Sequence, residues 1–303
     1  MPGKLRIAKT PDVLDPYLVA AWPGIGNIGL IAVNYLKNRL GAEEFAELEP
    51  WHFFFPKGVT IKNGVLQEME FPSCKFYYKK GKRDLIIFLA EMQPGEEDEI
   101  YEMANLVLDA AVAFGCRRVY TAGAAVAPIH HTARPRVWAV PNDRGLLKEV
   151  KRFPNTIVMS DLEDREGRGN ITGLNGVLLG VAAKRGLPGI CFLGEVPMYV
   201  AHFPGPYTIL YPKASRSILE VLAESLDVQI DMGNINAFAN NVEREIEGIY
   251  QNLPAVIKDE LDKLKQIGHA KQETEPGPIT DEEKERILKE VEEFFKRGGR
   301  EHD

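Results

Sequence analysis

Gly24-Ile-Gly-Asn-Ile-Gly29 sets three glycines at the spacing of a dinucleotide loop, after a short apolar run and before a helical pattern. Glycines there let backbone N–H groups at a helix N-terminus approach an anion such as a pyrophosphate. Glu47 and Glu49 follow about 20 residues on, where such a loop has its ribose-binding carboxylate. Pro23 stands directly before the first glycine and constrains a turn that usually has freedom, and the run before it, residues 18–22, is short. The balance favours a tight strand-to-helix elbow over a nucleotide site.

Three other segments are expected at the carboxyl ends of strands, where open α/β sheets bind ligands. They are Thr121-Ala-Gly-Ala-Ala, Arg168-Gly-Asn-Ile-Thr-Gly173 and Gly194-Glu-Val-Pro197. Thr172 precedes a helical pattern and suits an N-cap. With the glycine loop they outline one candidate cleft: Gly24, Gly26, Asn27, Gly29, Gly123, Asn170, Thr172 and Glu195. Buried at a strand end, Glu195 would suit acid–base work; a turn or interface role is the simpler reading.

His130-His131 is the most tempting pair. Adjacent residues of an extended chain point to opposite sides, so they make poor joint ligands for one metal. Arg134 and Arg136 nearby repel a cation. The segment Asp161-Leu-Glu-Asp-Arg-Glu-Gly-Arg168 lacks calcium-loop spacing and reads as a solvated loop. Gly-x-Ser-x-Gly, Walker A and His-Glu-x-x-His strings are absent from the sequence. No catalytic residue, metal or cofactor is therefore assigned.

Composition narrows the classes further. The 303 residues are 45% hydrophobic and 27% charged, ordinary for a globular chain. Residues 241–303 hold 17 acidic and 11 basic side chains, a net −6, whereas the first 240 hold 27 and 26. Neither part has the basic excess that a phosphate backbone demands, so nucleic acid is not an expected partner. No apolar run reaches the roughly 18 residues of a membrane span, and the first residues lack a signal-like apolar stretch. A cytoplasmic protein is expected, its three cysteines buried and reduced.

The elements that would position these residues follow from periodicity. Short apolar runs near residues 17–21, 84–90, 118–121 and 189–193 alternate with helical stripes such as Ile100, Met103, Ala104, Val107, Leu108 and Ala111. A weaker strand falls at 43–49, two more at 136–140 and 156–159, and a hairpin at 59–69 turns on Asn63-Gly64. Strand and helix in alternation imply a three-layer α/β/α sandwich with a mostly parallel mixed sheet. From residue 234 the pattern becomes helical, with Ile235, Phe238, Val242, Ile246 and Ile249, then Ile257, Leu261 and Leu264 beyond Pro254. A polar linker near 270–278 precedes a last helix from Thr280, whose apolar face is Ile287, Leu288, Val291, Phe294 and Phe295. The domain division is thus 1–233 and a helical extension, 234–303.

Three strings carry a family resemblance: Pro23-Gly-Ile-Gly-Asn-Ile-Gly-Leu-Ile-Ala, Gly173-Leu-Asn-Gly-Val-Leu-Leu-Gly and Gly194-Glu-Val-Pro-Met-Tyr199. In order and spacing they resemble the proteasome assembly chaperone 2 family over roughly residues 15–235. The resemblance implies a fold related to purine nucleoside phosphorylases, a homo-oligomer, and a protein-binding scaffold whose partners include proteasome α-subunits. Phe238, Val242, Ile246, Val291, Phe294 and Phe295 are the expected partner or oligomer surface. Archaeal chaperones of this kind dock through a C-terminal hydrophobic-Tyr-any tripeptide; here the sequence reads Glu301-His302-Asp303, a departure from that pattern. The alternative is a nucleotide-like ligand, or ATP-dependent ligase-like chemistry, in the strand-end cleft.

Overall fold

The computed structural model describes residues 5–158, 169–202 and 209–270, with side chains through residue 265. The strands are β1 (Leu5–Ile7), β2 (Tyr17–Ala21), β3 (Glu43–Leu48), β4 (Gly58–Lys62), β5 (Val65–Glu70), β6 (Cys74–Lys79), β7 (Leu85–Ala90), β8 (Arg118–Ala127), β9 (Val137–Pro141), β10 (Thr156–Ile157) and β11 (Gly189–Pro197). The helices are α1 (Ile28–Leu40), α2 (Glu97–Ala113), α3 (Leu147–Val150), α4 (Gly173–Lys184), α5 (Met198–Ala201), α6 (Pro212–Leu226), α7 (Gly233–Gln251) and α8 (Ala255–Ala270).

Nine strands form one sheet in the order β1-β3-β6-β7-β2-β8-β11-β9-β10. The central four, β7-β2-β8-β11, are parallel. On one side β1-β3-β6-β7 pair antiparallel; on the other β11-β9 is antiparallel and the edge pair β9-β10 parallel, so the sheet is mixed with a parallel centre. β7 is buried along its whole length because helices cover both faces of the sheet. Alternate residues divide between two cores, as a period of two dictates. Val19 and Ile87 face one core, which α1 and α6 cover; Leu18 and Phe88 face the other, under α2 and α4.

Several strands differ from the sequence reading, β1 among them. β6, Cys74-Lys-Phe-Tyr-Tyr-Lys79, was not expected; it alternates buried Cys74 and Phe76 with polar positions and is held by both β3 and β7. β8 and β11 run much further than their apolar runs suggest. Their weakly strand-forming residues pair with each other, Ala124 with Gly194 and Ala127 with Pro197, and that mutual ladder overrides local propensity. Gly123 and Glu195 therefore lie inside strands rather than beyond them.

The expected hairpin forms β4 and β5, and Asn63 (φ 53°) and Gly64 (φ 75°) make its left-handed turn. The helical extension packs as its stripe requires. Ile235, Val242, Ile246, Ile257, Leu261 and Leu264 are buried in the α1–α6 core, so the packing runs continuously across residue 233.

Candidate functional site

The glycine loop forms a closed elbow. Gly26 (φ 61°) and Asn27 (φ 50°) are both left-handed, which reverses the chain within one 3-10 turn. Asn27 N donates to Gly24 O at 2.9 Å, and Tyr211 N donates to Gly26 O at 3.0 Å. A Cβ on Gly26 would press against Tyr211, and one on Gly29 would overlap the Ala122 carbonyl of β8. Gly29 thus serves the close crossing of α1 over the sheet, and Gly26 the seating of the loop against the start of α6.

Gln93 joins this elbow to the next. Its Nε2 donates to Pro23 O at 2.5 Å, while its Oε1 accepts from Leu174 N in the first turn of α4 at 3.4 Å. Thr172 is the N-cap of α4, as expected, but its hydroxyl makes no capping bond; the Gln93 amide takes that place. Asn175 lies over Gly123, where only glycine leaves room for it. Its Oδ1 is buried without a hydrogen-bond partner among the described residues. The structure therefore gathers Gly24, Gly123 and the Thr172–Gly173 turn around Gln93 and Asn175. Asn27 closes on its own loop, accepting from Gly24 N at 3.4 Å, and Asn170 is exposed. Gln93 belongs to none of the motifs, and Asn175, although it stands in the Gly173–Gly180 string, was not singled out; the partners of both are distant in sequence.

Glu195 is bonded not to that cluster but toward β9, the neighbour of β11 on the side away from β8. Its side chain is 1% exposed and fully engaged. Arg136 donates from Nη2 to Oε1 at 2.8 Å, from Nε to Oε2 at 3.1 Å, and from its backbone N to Oε2 at 2.9 Å. Trp138 Nε1 adds a fourth bond to Oε1 at 3.1 Å. Such a fork is the strong form of carboxylate recognition. It fastens β9 to β11 and leaves no lone pair directed at a ligand, which corrects the placing of Glu195 in a shared cleft.

The histidine pair belongs to a second polar cluster, and here too the structure corrects the sequence reading. The segment after β8 is a turn, not extended chain, so the two rings lie together with centroids 4.0 Å apart. Both side chains are buried. His131 Nδ1 lies 2.6 Å from the Tyr199 hydroxyl, and its Nε2 lies 2.8 Å from Glu247 of α7. Lys213 of α6 donates to the carbonyls of His131 and Thr132 and to Glu243. Tyr250 donates to Asp262 of α8 at 2.6 Å. Burial pushes His130 down to about 4, helped by neighbouring His131 and Lys265, and burial also lowers His131 against the pull of Glu247. The neutral His131 imidazole thus ties the turn to α5 and α7. Among the described residues no group of three or more His, Cys, Asp or Glu is placed to hold a metal.

Of the expected partner surface, Val242 and Ile246 are buried in the chain's own core, and Phe238 is 37% exposed. Val291, Phe294 and Phe295, like the acidic segment 161–168, lie outside the described residues. All three cysteines are buried, and burial pushes their thiols up to about 12. No helix among the described residues is long and apolar enough to cross a membrane.

Comparison with known proteins matches this geometry to a family. Pyrococcus furiosus PbaB, described as an archaeal proteasome activator, superposes with a TM-score of 0.67 at 30% identity, covering 81% of this chain and 97% of that one. The Mycobacterium tuberculosis proteasome-assembly chaperone homologue has the same fold, with a TM-score of 0.64 at 22% identity over 82% of this chain and 99% of its own. An uncharacterized protein of Methanocaldococcus jannaschii is 27% identical over 233 residues, 77% of this chain and 82% of its own length. The PAC2 family profile matches residues 18–249, a span that takes in the glycine elbow, the Gln93 bridge, the Glu195 fork and most of α7, and the chain belongs to the PAC2 family.

Proposed function

We propose that the chain is a proteasome-assembly-chaperone-like scaffold that acts as a homo-oligomer and binds proteasome α-subunits. The observation that carries this reading is the likeness to the archaeal proteasome activator PbaB, which extends over nearly the whole of that protein. The site geometry agrees with it. The glycine elbow uses its own backbone groups, Glu195 is occupied by Arg136 and Trp138, and the His131 cluster serves helix packing. Groups so engaged act in shape and recognition rather than in bond-making.

The test is to mix the purified full chain with purified proteasome α-subunits and follow mass by size-exclusion chromatography with light scattering. A species containing both proteins is expected. Separate elution at every ratio and concentration would sink the reading.

A further inference from the structure

The hairpin of β4 and β5 is a sheet of its own, hydrogen-bonded to no strand of the main sheet. Its register pairs Val59 with Met69 and then, after a bulge, Ile61 with Leu66. An unbroken ladder from Val59–Met69 would set Ile61 opposite Gln67. The bulge takes Gln67 out of the count and brings Leu66 to that place. The result is one apolar face, Val59, Ile61, Leu66 and Met69, whose residues are 46%, 69%, 63% and 55% exposed. On the other face, the Thr60 hydroxyl donates to the Glu70 carboxylate.

The arm is rooted firmly. Lys57 N donates to Glu70 O at 2.5 Å, and Lys57 Nζ pairs with Glu91 just beyond β7. Beside the base, Phe55 is 91% exposed, and Trp51, 56% exposed, packs edge-on against Phe71. A two-stranded hairpin is marginal alone in water, and a contiguous apolar patch of this extent marks an interaction surface.

We propose that this face is where two copies of the chain meet, hairpin against hairpin. The proposal deepens the scaffold reading, resting on it for the existence of a homo-oligomer. Three features favour a second copy as the occupant. A two-fold contact sets identical surfaces together, so any charge on the face would meet its like; Val59, Ile61, Leu66 and Met69 carry none. Among the described residues both edges of the hairpin are unpaired, and an edge strand can pair with its own symmetry mate. The exposed area of these four residues with Trp51 and Phe55 is on the order of 800 Å², one partner's share of a standard interface.

The test compares the full chain with the double variant Ile61→Glu, Leu66→Glu by sedimentation velocity over a wide concentration range, with circular dichroism melting as the fold control. The wild type is expected to sediment as an oligomer and the variant to dissociate at concentrations at least 100-fold higher, while still melting cooperatively from a wild-type circular dichroism spectrum. A measurement on the wild type alone stands beside it: hydrogen exchange of residues 58–70 should slow as concentration rises. A wild-type oligomer whose mass the variant retains, with exchange in 58–70 independent of concentration, overturns the hairpin interface and leaves the scaffold reading standing. A wild type that is monomeric throughout overturns both the interface and the homo-oligomer. A variant that keeps its mass but loses α-subunit binding overturns self-association and gives the face to that partner.

Discussion

At the scale of single residues, the chain's most chemical-looking groups are fasteners. Glu195 is a buried carboxylate at a sheet position that would serve acid–base work, yet Arg136 and Trp138 take both of its oxygens. Removing one partner of a buried pair leaves an uncompensated charge. Arg136→Ala should therefore destabilise the fold by about 3 kcal/mol, read by urea denaturation. A loss within about 0.5 kcal/mol would mean that the fork is not structural. Sequence alone presents Glu195 as a free strand-end group, because Arg136 is 59 residues away and no local pattern links the two. Gly29 was legible, since the third glycine of such a loop is the one that lets helix and strand pack closely. The constraint is the Ala122 carbonyl, which a side chain would overlap. Gly29→Ala should lower stability by at least about 2 kcal/mol, since backbone rather than a flexible side chain must yield. An unchanged melting temperature for that variant would contradict the close crossing of α1 and β8.

At the scale of elements, α7 and α8 were readable from a stripe stepping by three and four, and their burial follows it. What holds their polar side to the body was not readable. His131 reaches Glu247 across 116 positions, and the turn that brings the two rings together replaces the extended chain that adjacency suggests. The consequence is a pH dependence with a definite sign. Both histidines are depressed below the unfolded value of about 6.5, so the unfolded chain binds more protons in acid. Stability is insensitive to these groups above that value and falls as pH drops from about 6.5 toward about 4, where His130 itself titrates. The groups facing them are Tyr199 of α5, Lys213 of α6, Glu243, Glu247 and Tyr250 of α7, and Asp262 and Lys265 of α8. Thermal melts of the wild type should fall steeply between pH 6.5 and 4.5, and those of the double variant His130→Phe, His131→Gln less so. Parallel curves would place the acid sensitivity elsewhere. The long ladders of β8 and β11 were equally hidden, because alanine and glycine become strand only through a partner strand.

At the scale of the whole molecule, alternation of strand and helix gave the layered sandwich, and the parallel centre of the sheet followed from it. The antiparallel margin did not, since β6 is half polar and is defined by its neighbours β3 and β7. The motifs that carry the family resemblance are the places where backbone meets backbone most closely: the Gly24–Gly29 elbow and the turn into α4. They hold the layers together, and the apolar residues left exposed include those of the hairpin and, near the strand ends, Ile25 and Met92. An exposed apolar arm on such a body fits the holding of other polypeptides. The most direct test of that role is a binding titration of purified proteasome α-subunits against the full chain, followed by light scattering. Saturable formation of a mixed complex with fixed stoichiometry is predicted; a chain that never changes mass in the presence of α-subunits would contradict it.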